Sequence, residues 1–177
     1  YAAGFDKWLP EGVRVAWATS DYDNTQQKID GYDPNHYMDM QLTLPGFDLS
    51  NDTARRSYAA RFISQDVNKL VNLCLLKHHQ SAGITMALKN LSQGLVNNVN
   101  SSHSSPMLNA CGAFIPSAVA IPVIRNKTVL NIGDAVKALY HGGPGLNPAK
   151  APPPLRPEKL AQAAGSDELK LALVGCG

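Results

Sequence analysis

The sequence has 177 residues, of which 44% are hydrophobic and 17% are charged, and its formal net charge is +2. The length fits a single domain with enough apolar residues for a core. The small net charge gives no electrostatic case for binding nucleic acid or acidic lipid. No apolar run reaches the ~20 residues that a membrane span requires. Charged residues are fewer than the roughly 25% usual in soluble domains, which favours burial against a protein partner or self-association.

The start of the chain and its sequons bear on localisation. Tyr1 is the first residue, without an initiator methionine or a signal-peptide pattern, so we expect a processed or secreted product or an excised fragment. Four Asn-x-Ser/Thr sequons indicate glycosylation and agree with secretion. They lie at Asn51, Asn90, Asn100 and Asn126.

The three cysteines do not have the spacing of a zinc site. Cys74, Cys111 and Cys176 form no CxxC pair and have no histidine at zinc-ligand spacing. Either one disulfide with a free thiol or three buried thiols would be consistent with this pattern.

The first 45 residues predict two strands. Residues 13–18 are rich in β-branched and aromatic side chains, and Met38 to Leu44 alternates between apolar and polar residues. Between them, residues 21–36 read as a polar, acidic loop. This loop is either a solvated turn or an irregular calcium site. The aspartates that would serve such a site are Asp21, Asp23, Asp30 and Asp33.

The central part of the chain predicts a helical hairpin over residues 52–99. Apolar residues recur at three- and four-residue spacing from Tyr58 to Cys74, and N-cap residues precede them at Ser50, Asn51 and Asp52. The first helix is expected to reach about Lys77, and a second runs from about Ser81 to Val99.

After a polar loop at residues 97–106, the pattern becomes less regular. Residues 119–124 and 128–132 predict two short strands, and residues 134–140 predict a short helix. We divide the chain into an α+β domain at 1–147, a proline-rich linker at 148–157 and a C-terminal helical segment at 158–177. Residues 169–174 fit either a strand or a helical turn.

The stretch from Thr128 to Asn147 carries the most specific chemistry. It reads as an apolar strand, a turn at Gly133-Asp134, a short helix and a glycine-rich loop with Gly142, Gly143 and Gly145. A helix N-terminus beside a glycine loop directs backbone N–H groups toward an anion.

This stretch resembles the second FAD motif of flavoprotein monooxygenases of the aromatic-hydroxylase and squalene-epoxidase type, which reads strand, GDA, spacer and GGxGLN. The resemblance implies that FAD is the cofactor and that Asp134 holds the ribityl or ribose hydroxyls. It also implies that Gly142, Gly143 and Gly145 approach the isoalloxazine and pyrophosphate. The spacer is about one residue short, and the chain has no GxGxxG after an early strand.

Two other interpretations of the glycines are open. His141 to Gly145, HGGPG, resembles the oxyanion element of prolyl-aminopeptidase-like hydrolases, in which backbone N–H groups stabilise a tetrahedral oxyanion. The hydrolase interpretation lacks a nucleophile elbow after the loop. In the simpler alternative, Gly142 ends a helix and the following residues turn the chain into the linker.

The histidines and serines give weaker signals. His78 and His79 read either as the end of a helix or as a metal site with Met86 or His103. Adjacent histidines on a helix point about 100° apart, so they would not bind one ion together, and we predict no metal site. The serines around His103 read as an ordinary loop rather than a catalytic triad.

We therefore expect an α+β fold in which the helical hairpin packs on a small mixed sheet and a proline-linked C-terminal helix docks outside. The predicted function is a non-catalytic subunit or a binding and assembly domain of a larger complex. The alternative is a chain of an FAD-dependent monooxygenase-like enzyme that uses Gly133, Asp134 and the glycine loop, and a weaker alternative is a hydrolase with an HGGPG oxyanion loop.

Overall fold

The structure, a computed structural model, describes residues 9–19, 25–40, 49–103 and 110–139. Its strands are β1 (Tyr32–Asp39), β2 (Arg56–Ala60), β3 (Leu70–His79), β4 (Gly83–Thr85) and β5 (Thr128–Leu139). Its α-helices are α1 (Asp52–Arg55), α2 (Arg61–Gln65), α3 (Ala87–Gln93), α4 (Ala110–Val119) and α5 (Pro122–Lys127). A 3-10 helix spans Val99–Ser102.

The strands form two small sheets. β1 and β2 pair antiparallel, and β3 lies between β4 and β5 in a three-stranded sheet. In that mixed sheet β4 is antiparallel to β3, whereas β5 is parallel to it. A parallel pair needs a long connection, and here the connection contains β4, α3, the 3-10 helix, α4 and α5.

The hydrophobic core lies between the two-stranded sheet and the helices that follow it. Its fully buried side chains come from β2, α2, α4, α5 and the turn between the last two helices. They include Ala59, Ala60, Ile63, Phe114, Ala118, Ile121 and Ile124. Tyr32 of β1 and Tyr58 of β2 close the cluster from the sheet side.

Two buried asparagines, Asn97 and Asn98, hydrogen-bond to backbone groups of earlier segments of the chain. The side chain of Asn97 accepts a hydrogen bond from the Tyr58 backbone N–H at 2.7 Å and donates to the Lys28 carbonyl at 3.0 Å. The Asn98 amide lies within 3.4 Å of three backbone carbonyl oxygens, those of Thr53, Ala54 and Arg56. Asn98 also has a φ of 57°, in the left-handed region that asparagine tolerates better than most residues. The Asn98 contacts supply an amide donor to carbonyls in and next to α1.

The α+β class and the small mixed sheet are confirmed. The helical hairpin predicted over residues 52–99 is not present, because this segment contains α1, β2, α2, β3, β4 and α3. Residues 57–60 are all buried, and Ala60 donates its backbone N–H to the Leu95 carbonyl at 2.8 Å. In β3 the buried Asn72 and Cys74 alternate with exposed neighbours. The apolar spacing of this segment fits both periods, and pairing with distant strands decided between them.

Of the other predicted strands and helices, some are confirmed, some are wrong and some lie outside the described residues. The strand at 128–132 is confirmed within β5, but the helix at 134–140 is wrong for the described residues, because β5 continues to Leu139. The strand at 119–124 is also wrong, since Pro122 begins α5. Residues 13–18 are irregular rather than a strand. Part of the strand Met38 to Leu44 belongs to β1, and residues 41–44 lie outside the described residues, as do the linker and the C-terminal helix.

We predict that Asn98→Ala destabilises the fold by about 3 kcal/mol, because it leaves buried carbonyls unpaired and places alanine in a left-handed conformation. Asn98→Gly should recover roughly 1 kcal/mol of this loss, since glycine adopts that conformation freely. Urea denaturation of the two variants measures both effects. Asn126→Ala, an exposed change in α5, is the control and should stay within about 0.5 kcal/mol. A loss for Asn98→Ala no larger than for this control would contradict the role of Asn98.

Candidate functional site

Two of the predicted cofactor residues lie inside a strand. Gly133 is buried opposite Cys74, and Asp134 is exposed opposite Leu75 in the parallel pair of β3 and β5. One carboxylate oxygen of Asp134 accepts the Val136 backbone N–H at 2.8 Å. Because β5 continues to Leu139, the described residues contain no helix after Asp134 where the sequence predicted one. The assignment of Gly133 and Asp134 to a cofactor stays a prediction.

The glycine loop lies outside the described residues. Gly142, Gly143 and Gly145 of the flavin interpretation and His141 of the oxyanion interpretation all fall after Leu139, where the description ends. The assignment of these residues to a cofactor or an oxyanion stays a prediction.

The structure brings His79 and His103 together. His79 ends β3, and His103 follows the 3-10 helix. Their Nε2 atoms are 3.2 Å apart, and His79 is only 2% exposed, whereas His103 is exposed. The sequence named both histidines in one of its alternatives. Their contact depends on how β4, α3 and the 3-10 helix fold between them. Among the described residues, no group of three or more His, Cys, Asp and Glu side chains could hold a metal ion.

Hydrogen bonds define the tautomers of the two rings. Nδ1 of His79 accepts the backbone N–H groups of Ser81 and Ala82 at 3.3 and 3.2 Å, so the proton of its neutral ring lies on Nε2. Nδ1 of His103 lies 3.0 Å from the Val99 carbonyl oxygen and must donate to it, so Nε2 of His103 is an acceptor. His79 therefore donates to His103. The contact between the two rings is therefore a hydrogen bond.

The surroundings keep His79 neutral. The pKa of His79 is lowered from 6.5 to about 4, mostly by burial and then by the charges of Lys89, His103, Lys77 and His78 in that order. Burial also lowers the pKa of Lys89, with a contribution from Lys77. Because both desolvation and positive neighbours oppose the imidazolium form, His79 is a structural donor in neutral solution.

A chain of polar contacts continues from His103 to a buried thiol. Ser102 Oγ is 3.1 Å from His103 Nδ1 and accepts a hydrogen bond from Gln93 Nε2 at 2.7 Å. The same Gln93 amide is 3.8 Å from Cys111 Sγ, and the thiol donates to the Ser102 carbonyl oxygen at 2.9 Å. Cys74 and Cys111 are both buried, and no disulfide joins them. Cys176 lies outside the described residues, so both alternatives for the three cysteines stay predictions.

Within the described part of the chain, α3 covers β3 on one face of the sheet of β3 and β5, and the other face is open. Asn72 lies opposite Asn131, and its amide donates to the Ala87 carbonyl of α3 and to Asn131 Oδ1, both at 3.1 Å. Side chains alternate between the faces of a strand, so the neighbours of these asparagines project from the other face. That open face carries four aliphatic side chains that are 37–53% exposed. They are Val71 opposite Leu130 and Leu73 opposite Ile132.

The covered side contains a cavity of about 200 Å³ between β3 and α3. Its polar lining comes from Asn72 and Asn90, and the Asn90 amide donates to Asn72 Oδ1 at 2.6 Å. This bond uses the same nitrogen that N-glycosylation would modify. The other three sequon asparagines, Asn51, Asn100 and Asn126, are exposed. Glycosylation of the chain stays a prediction, and these three are the sites that the fold leaves accessible.

We predict that stability falls as the pH is lowered from about 6.5 to about 4. The pKa of His79 is lower in the folded chain, so its contribution is fully present above 6.5 and is lost as the unfolded chain takes up a proton. Urea denaturation at a series of pH values measures this slope. His79→Asn, whose Oδ1 can replace the Nδ1 acceptor, should flatten it. A slope equal to that of the wild type would show that other groups cause the loss.

Comparison with known proteins identifies a family. The sequence matches the family described as Domain of unknown function (DUF362) over residues 32–170. No curated protein matches the chain, and no solved structure matches it. None of the helices in the described residues is long and apolar enough to cross a membrane. The match begins at the first residue of β1 and includes every named strand and helix. Because it covers more than half of the chain, the protein belongs to the DUF362 family.

Proposed function

We propose that this chain is a non-catalytic subunit or assembly domain that binds another protein through the open face of β3 and β5. The observation that carries the proposal is the row of exposed aliphatic side chains on a parallel strand pair. Parallel strands in known folds are almost always covered on both faces. Here α3 covers one face, and the described residues leave the other uncovered.

The composition of the face favours a protein contact. Val71, Leu73, Leu130 and Ile132 form two adjacent cross-strand pairs without a charged side chain between them. The exposed Asp134, opposite Leu75, follows at one end of the row. An apolar centre with a polar margin is the usual arrangement of a protein–protein contact.

A second copy of the chain is the occupant that this face fits best. An uncharged aliphatic surface is complementary to itself, so two copies can pair about a twofold axis without matching charges. The low charged fraction of the whole sequence, 17%, agrees with a surface that is partly buried in an assembly. The proposal assigns no catalytic role to the thiol or the histidines.

We predict that Leu73→Ser weakens self-association about tenfold or more, because truncating a central apolar contact costs more than 1 kcal/mol. Size-exclusion chromatography with light scattering over a concentration series measures the dissociation constant. Ile84→Ser is the matched control, since Ile84 is 54% exposed on β4 and Leu73 is 53% exposed on β3. Ile84 pairs with His78 of β3. A register shift between Leu75 and Lys77 in the pairing of β3 with β5 separates this position from the row that contains Leu73.

The result that supports the proposal is an oligomer that Leu73→Ser dissociates and Ile84→Ser does not. A monomeric wild type without a bound protein would contradict it. If that monomer were also destabilised by Leu73→Ser alone, the open face would be covered by other residues of the same chain.

A further inference from the structure

We propose that Lys77, Thr85 and Lys89 form a binding site for a phosphate group where β3, β4 and α3 meet. The two lysines supply positive charge, and the threonine hydroxyl supplies a third hydrogen-bond donor. The site uses none of the aliphatic residues of the open sheet face, so it is independent of the proposed assembly role.

The pairing of β3 with β4 places Lys77 beside Thr85. The two residues are partners in the antiparallel pair, so their side chains lie on the same face with Cβ atoms about 5 Å apart. Thr85 is only 2% exposed, and its Oγ1 has no hydrogen-bond partner. A buried hydroxyl without a partner is costly and rare in folded proteins. Thr85 therefore holds a donor for which the described residues supply no acceptor.

Lys89 adds a second ammonium group to this place. It lies on α3, which is held against β3 by the hydrogen bonds of Ala87 and Asn90 to Asn72. Lys89 is half-buried, and its ammonium group takes part in none of the ion pairs of the described residues. Its pKa is lowered, mostly by burial and then by the charge of Lys77. The two ammonium groups are thus close enough to repel each other.

The surroundings contain positive charge without a described carboxylate to balance it. Besides burial, the groups that lower the pKa of His79 are all basic, and they are Lys89, His103, Lys77 and His78. Cys111 also acts on Lys89, but its thiol keeps its proton and donates it to the Ser102 carbonyl. Like charges in a partly buried region oppose each other. An anion bound here would remove that repulsion and accept hydrogen bonds from the lysines.

A phosphate group matches these three donors in charge and in number of acceptors. It carries a charge of about −2 near neutral pH and offers several strong acceptor oxygens. Two of them can accept from Lys77 and Lys89, and a third can accept from the Thr85 hydroxyl. Lysine binds phosphate as a point charge. Inorganic phosphate and a phosphate monoester present the same oxygens, so the site is assigned to the group that they share.

The first experiment is calorimetric titration of the full chain with inorganic phosphate and, separately, with glycerol phosphate. Sodium chloride keeps the ionic strength constant. We expect saturable binding at one site, and the tighter ligand shows whether free or esterified phosphate is preferred. Lys89→Met should raise the dissociation constant about tenfold or more, because it removes a hydrogen bond from a charged donor. Lys69→Met, a change of an exposed lysine before β3, is the matched control and should leave binding unchanged.

Thr85→Val separates a role in binding from a role in the fold. It removes the hydroxyl and retains the branched side chain, so urea denaturation without phosphate should show a stability no lower than that of the wild type. The dissociation constant for phosphate should nevertheless rise roughly threefold or more.

Three results would overturn the proposal. The first is a wild type that binds neither phosphate nor glycerol phosphate above the chloride background. The second is a loss of affinity that is as large for Lys69→Met as for Lys89→Met. The third is phosphate binding that neither Lys89→Met nor Thr85→Val weakens.

Discussion

The parallel pairing of β3 with β5 is the constraint on which most of this structure depends. It joins residues 70–79 to residues 128–139, so the helices between them must pack within the connection. It sets Asn72 beside Asn131 on the side that α3 covers and aligns Val71 and Leu73 with Leu130 and Ile132 on the open side. The same pairing holds Asp134 in extended backbone, so strand replaces the turn and helix that the sequence predicted at residues 133–139.

In the described residues, buried polar side chains form hydrogen bonds between segments that are distant in the sequence. The Asn97 amide donates to the Lys28 carbonyl, and the Asn98 amide donates to the Ala54 carbonyl of α1. The Asn72 amide donates to the Ala87 carbonyl of α3, and Asn72 Oδ1 accepts the Asn90 amide. His79 and His103 act in the same way between the end of β3 and the 3-10 helix. Such groups are costly to bury without partners, so each contact selects one arrangement of the segments that it joins.

Membership of the DUF362 family and the geometry of the sheet bear on different questions. The match identifies the chain as a family domain over residues 32–170 and says nothing of its chemistry. The proposal of an assembly role comes from the chain itself, from an uncharged aliphatic face on a parallel strand pair. The separation matters because a fold or family does not by itself assign a function.

The sequence by itself determined the α+β class and the strand at 128–132. It did not determine that residues 56–60 and 70–79 are strands, because their apolar residues fit a period of 3.6 as well as a period of 2. That choice rests on hydrogen bonds to β1 and β5, which lie far away in the chain. The contact of His79 with His103 likewise needs a path of 24 residues. Local patterns record which residues prefer burial, but only tertiary packing decides which of them meet.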